Sequence, residues 1–445
     1  MAIFLSPFSP ILDSLVYDKS PVLVVSVQTL FVSVKIFVGT QRHILKDNRK
    51  LLDMSIRSNQ ILLMWLQHHP SSLSPDEEYN NFFQVVILMK VVINSVFSTS
   101  GNFRLTLIVF LHSYIFSVVL VLFKMLRNKV KNFQNFNWRD VIKVNLYLLF
   151  IVGLWPKGGL YKTSFYTFYA IISNILFIGC STVFQAMVIF YAYSNILDLA
   201  DALFVSLAEL VVFGKLYCYI KNMALVQKLL AIFHEPIFQP VNFKQVLIVQ
   251  KATRQWKIFY WVYVHTAAAT VLFWTFYPVF DQSVKEYRLP FSAWYPFNTS
   301  FTPNYEITYM YQVVSIWFIS VADVNMDMFI IALMMFTGVQ CDILCDNLRN
   351  INSLDYHQDL VTCVHHYRAI LSFAKHSNDF FSWMIFLIFG SVILSNSVSM
   401  FRLTMVEPSS SEFCSLAFYV TCTVLQIFIH CWFGNQIAAK VREMI

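Results

Sequence analysis

Over 445 residues the chain is 57% hydrophobic and 17% aromatic but only 13% charged, about half of the ~25% charge with which a soluble domain of this size coats its surface. That excludes a soluble enzyme and calls for lipid. The formal net charge of +7 does not indicate nucleic acid, because Lys and Arg lie between apolar blocks, as loop charges of a membrane protein do, and build no basic domain.

The apolar residues form solid blocks long enough for the ~20 helical residues that cross a bilayer, not the short alternating segments of a closed barrel. The expected fold class is therefore all-α, a polytopic transmembrane helical bundle. At the N-terminus Pro7, Pro10, Asp13 and Asp18 interrupt the first apolar stretch, so no cleavable signal peptide is expected and the first span serves as the insertion signal. Spans are predicted at Pro21 to Gly39, Phe82 to Ser98 and Leu105 to Phe123, followed by a basic stretch with Lys124, Arg127, Lys129, Lys131 and Arg139. Six more follow: Phe165 to Tyr193, Leu197 to Tyr219, Phe259 to Phe280, Ile307 to Val339, Phe380 to Met405 and Phe413 to Trp432. The segments Trp155 to Thr163 and Asp281 to Glu306, where Pro, Gly and charges cluster, are read as non-spanning.

Loop charges set the orientation. Lys215, Lys221, Lys228, Lys244, Lys251, Arg254 and Lys257 put the link between the second and third of the six spans in the cytosol. The links at Asp198 and Asp201 and at Asp281 to Glu306 then fall outside, and the tail with Lys440 and Arg442 inside. Asn298-Thr299-Ser300 is a glycosylation acceptor in a loop read as external.

No phosphate loop, HExxH, GxSxG or zinc-spaced Cys and His set occurs, so no catalytic residue, cofactor or metal is expected. Cys341 and Cys345, one helical turn apart, and the other six cysteines read as reduced thiols, and His365-His366 as a solvated helix face. Within the spans, Asp323 and Asp327 lie one turn apart. They either line a cation path, as in a secondary transporter, or are satisfied by Lys, Arg, Ser or Thr of neighbouring helices, which is the favoured reading. Glu209, His265 and Arg402 are expected to snorkel towards a boundary. Aromatic residues crowd the outer halves of two spans. Of these Phe273, Trp274, Tyr277, Tyr309, Trp317 and Phe318 are the candidate walls of an apolar cavity that opens outward and suits a small volatile or lipophilic ligand.

Leu289-Pro290-Phe291-Ser292-Ala293-Trp294-Tyr295-Pro296-Phe297 resembles the outer-loop element of insect odorant receptors, continued by Tyr305-Glu306-Ile307-Thr308-Tyr309. Leu154-Trp155-Pro156, Gln340-Cys341-Asp342-Ile343-Leu344-Cys345 and Phe433-Gly434-Asn435 are similar to further elements of that family, in its order. The resemblance covers residues 138–445 and divides the chain into a receptor module with six spans and an extension, 1–137, with about three. The extension is loosely similar to gustatory receptors. The resemblance implies a module with a cytosolic N-terminus, the reverse of G-protein-coupled receptors. It also implies a plasma-membrane location in olfactory dendrites, an odorant ligand, and a non-selective cation channel formed as a hetero-oligomer, tetrameric, with a shared co-receptor. Because the chain stops at Ile445, right after the sixth helix, the pore-lining seventh is expected to be missing, and a truncated or fused, non-functional product is the alternative.

Overall fold

The computed structural model describes residues 138–445 apart from 157–160, 162, 192–195, 281, 352–355, 407–409 and 445. The three spans predicted before residue 138, the basic stretch up to Lys131 and the extension 1–137 lie outside the described residues. All regular structure within them is helical.

Two short helices, α1 (Trp138–Val141) and α2 (Lys143–Ile151), lead to a turn at Gly153, whose φ of +79° favours glycine. A Cβ there would also stand 2.9 Å from the Ala170 backbone. The turn buries Leu154 and Trp155, which anchors the Leu-Trp-Pro element ahead of the first span. That span begins where the Ser164 hydroxyl accepts the Thr167 amide. It runs through α3 (Phe165–Ser173), a π turn (Asn174–Gly179) and α4 (Cys180–Tyr191).

The chain continues as α5 (Ile196–Lys221), α6 (Met223–Ile232) and a 3-10 turn (Pro236–Phe238). Next come α7 (Phe243–Phe280), a second 3-10 turn (Ser283–Glu286), α8 (Asn304–Arg349), α9 (Tyr356–Met405) and α10 (Ser411–Met444). Five of the six predicted spans are long and apolar enough to cross a membrane. The remaining one, α5, is 26 residues long, about 39 Å at ~1.5 Å per residue, but carries Glu209 and Lys215 within it.

The helices outrun the predicted spans. At 38 to 50 residues, α7, α8 and α9 are about 57 to 75 Å long, roughly twice the hydrocarbon thickness. The extra turns lie at the ends read as cytosolic. Hydropathy loses them because they carry charge, yet packing keeps them helical. Lys244 reaches Asp346 at 2.6 Å, Lys440 reaches Asp342 at 2.6 Å, and Gln340 donates to the Phe238 carbonyl at 3.1 Å. Asn242 starts α7 early by accepting the Gln245 amide at 2.8 Å. Burial pushes the Asp346 carboxyl up, but hydrogen bonds from Lys244, Asn242 and Gln245 outweigh it and hold the group below its usual range.

Helix α8 is the axis of the bundle. Its apolar stretch is 89% buried, with α2, α5, α7, α9 and α10 packed around it. Near the end of α8 read as cytosolic, Phe336 stacks on Phe233 at 4.2 Å and meets Trp138 and Phe373 at 4.9 and 4.8 Å. His366 belongs to this core. It is buried and bonded to the Gln340 side chain at 3.1 Å while His365 is exposed, which corrects the solvated-face reading. Burial pushes its imidazole down to about 4.

Candidate functional site

The apolar side chains at the outer ends of α7, α9 and α10 form a second core, separate from the main one: Trp274, Tyr277, Leu403, Phe413, Leu416 and Val420, closed by Phe291 from the outer loop. The loop is latched by one glutamine. Gln312 of α8, itself buried, accepts the Phe291 amide at 3.1 Å and donates to the Phe291 carbonyl at 2.9 Å, and to the Tyr295 hydroxyl at 3.2 Å. Burial pushes the Tyr295 hydroxyl up to about 12, so it stays neutral. Further along, the Trp294 amide donates to the Phe184 carbonyl at 2.9 Å and the Tyr295 ring packs on Phe184 at 5.0 Å, tying the loop to α4 as well.

Beneath the latch lies a cavity of about 180 Å³, bounded by Val205 of α5, Trp274 and Tyr277 of α7, the loop from Tyr287 to Ala293, and Glu412 of α10. Trp274 and Phe291 stack in it at 5.5 Å and 24°. Its polar rim comes from Arg288, which lies 5.7 Å over the Tyr277 ring, and from Glu412, which binds Arg402 at 2.6 Å.

Trp274 and Tyr277 thus line this cavity, and the other four candidate walls lie elsewhere. Phe273 stacks on Phe418 of α10 at 4.5 Å. Tyr309 donates to the Thr275 carbonyl at 2.5 Å. Phe318 meets Phe177 of the π turn at 5.2 Å, and Trp317 is half-buried on α8. All lie on the expected helices, but a 100° step per residue separates neighbours in sequence onto different faces. Asn298 is exposed, its side-chain oxygen accepting the Ser300 amide at 2.8 Å. Arg288, Phe291 and Gln312 were not foreseen as site residues. The loop motif, which holds Phe291 and begins directly after Arg288, was the available signal.

Below the cavity, the two span aspartates are satisfied from a neighbouring helix. Lys215 of α5 reaches Asp323 at 2.6 Å and Asp327 at 2.7 Å. Asp327 also accepts Gln426 of α10 at 2.6 Å and the Tyr263 hydroxyl of α7 at 3.3 Å. Lys215 is 0% exposed, so it is an interior counter-ion and not one of the loop charges that set the orientation. Lys221, Lys228, Lys244, Lys251 and Arg254 remain exposed for that role. Two side chains expected to snorkel are instead buried and bonded: Arg402 to Glu412, and Glu209 to Gln185 at 2.7 Å. His265, half-buried, bonds back to the Trp261 carbonyl at 2.7 Å. Among the described residues the eight cysteines form no disulfide.

Comparison with known proteins places the chain among sensory receptors. The family model described as 7tm Odorant receptor matches residues 195–444. Odorant receptor Or1 of Anopheles gambiae is 23% identical over 334 residues, 67% of this chain and 79% of that protein. Odorant receptor 94a of Drosophila melanogaster is 22% identical over 256 residues, 52% of this chain and 64% of its own. The olfactory receptor OR5 of Machilis hrabei has the same fold, with a TM-score of 0.61 at 19% identity over 69% of this chain and 81% of that one. Its complex with eugenol gives 0.60 at 18%, over 69% and 82%.

Proposed function

Because the chain belongs to the 7tm odorant receptor family, we propose that it binds small volatile or lipophilic odorants in the cavity under the outer loop. We propose too that it contributes to a ligand-gated, non-selective cation channel together with the family's shared co-receptor, in a tetrameric hetero-oligomer. Its place is the plasma membrane of olfactory dendrites. The observation that supports ligand binding most is the cavity itself, aromatic-walled, latched by Gln312 and bounded by α5, α7, α10 and the loop.

That boundary suggests how binding is transmitted. A ligand shifts a conformational equilibrium only as far as it contacts two states differently, and this cavity is walled by residues from three helices and the outer loop. The Lys215, Asp323 and Asp327 cluster, bonded to Tyr263 and Gln426, ties α5, α7, α8 and α10 below it. The same cluster weakens the transporter reading, since its carboxylates already hold a cation of the protein. We propose the chain division at 137/138 as well, with the receptor module on the C-terminal side. Odorant binding to the full chain in lipid nanodiscs tests the site. Trp274→Ala should weaken binding at least tenfold, and unchanged affinity would remove the cavity from the account.

A further inference from the structure

Resting on the odorant-binding reading, the geometry points to a ligand class: we propose that the cavity takes a small ring compound carrying one carbonyl oxygen, with the Arg288 guanidinium as the donor to that oxygen. Size is the first argument. The cavity measures about 180 Å³, and an apolar cavity of about 150 Å³ is known to hold benzene. One aromatic ring and a short substituent therefore fill it. The edges of the mutually stacked Trp274 and Phe291 rings offer such a ring edge-on contacts.

Charge supplies the second argument. Glu412 is committed to Arg402 at 2.6 Å, whereas Arg288 stands 3.9 Å from Glu412, outside hydrogen-bond reach. Arg402 lies behind Glu412, outside the lining, so the one rim carboxylate is already paired and an ammonium ligand finds no uncommitted anion there. A hydrogen-bond acceptor meets a donor in surplus. The Arg288 guanidinium makes no hydrogen bond among the described residues, lies over the Tyr277 ring, and has a half-exposed side chain.

Its backbone, by contrast, is held on both sides. The Arg288 amide donates to the Ser283 carbonyl at 3.2 Å and its carbonyl accepts the Tyr305 hydroxyl at 2.8 Å. A fixed backbone carrying a fork of N–H donors, held only by a 3.9 Å ion pair with Glu412 and a ring contact with Tyr277, is suited to orienting a carbonyl group at the rim of the pocket.

The test compares acetophenone with α-methylstyrene, which has the same shape with CH2 in place of the carbonyl oxygen, by titration calorimetry on the full chain in nanodiscs. Acetophenone should bind about tenfold more tightly, equivalent to about 1.4 kcal/mol. Arg288→Met should abolish that preference, bringing acetophenone down to the affinity of α-methylstyrene in the same variant, with an unaltered melting temperature showing that the fold is kept. Arg288→Lys should restore a preference of a few-fold. Equal affinities in the parent chain, a preference that survives Arg288→Met, or no binding of either compound would each overturn the assignment. Currents evoked by odorants without a carbonyl would show in that event that the receptor reading stands and the ligand class alone has failed.

Discussion

Replacing Lys215 by Met removes the only cation seen in contact with the Asp323 and Asp327 carboxylates among the described residues. The lysine and Asp327 side chains are 0% exposed, so water is a poor substitute for the lost charge. Two carboxylates one helical turn apart would then repel each other, with only the Tyr263 and Gln426 bonds left on Asp327. Breaking a buried ion pair from one side costs about 3–5 kcal/mol. At about 2–4 °C per kcal/mol for a large domain, that is a fall in melting temperature of roughly 6–20 °C. Asp323→Asn has the opposite logic. It leaves Lys215 paired one to one with Asp327, so its cost should be smaller than that of Lys215→Met. The triple change of Lys215→Met, Asp323→Asn and Asp327→Asn should recover most of the loss. Thermal unfolding of detergent-solubilised protein, followed by fluorescence-detected size exclusion, reads all three. A Lys215→Met chain as stable as the parent, or an Asp323→Asn chain that is worse, would refute the counter-ion account.

Gln312→Leu strips the Phe291 amide and carbonyl of their partner, at about 1–3 kcal/mol for each buried group left unsatisfied; hydrogen exchange in 287–297 should speed up, and unchanged protection would show that other contacts hold the loop. His366 is neutral in the fold, its folded pKa of about 4 lying below the ordinary 6.5. Its contribution is therefore complete above pH 6.5 and is lost as pH falls towards 4, at up to about 1.4 kcal/mol per unit. His366→Gln should flatten the acid limb of a melting-temperature profile, and an unchanged limb would argue against this role. Asn298 should carry a glycosidase-sensitive glycan in eukaryotic cells that Asn298→Gln removes; an unmodified chain would count against an external loop.

The bundle was legible because burying backbone in lipid demands uninterrupted apolar helices, and the six blocks from Phe165 onward fall on α3 to α5 and α7 to α10, with α6 in none of them. Helix ends were not legible. Asp342, Asp346, Lys244 and Lys440 look like loop residues to a hydropathy reading and are interhelical pairs in the fold. Lys215 was hidden for the converse reason: nothing local distinguishes a lysine that meets Asp323, 108 positions away, from one at a membrane surface. At the candidate site, the aromatic richness of α7 pointed to Trp274 and Tyr277. Which rings share a cavity depends on helix rotation and on where the loop folds back, neither of which composition encodes. The loop motif was the stronger signal, since it contains Phe291, which closes the outer core, and directly follows Arg288.

The most direct test of the central claim is electrical. Co-expressed with the family's co-receptor in cells that otherwise lack odorant responses, the chain should give inward cation currents on exposure to small aromatic odorants, absent with either subunit alone and reduced by Trp274→Ala. Ligand-evoked currents identical with and without this chain, or none across a broad odorant panel despite surface expression, would contradict it.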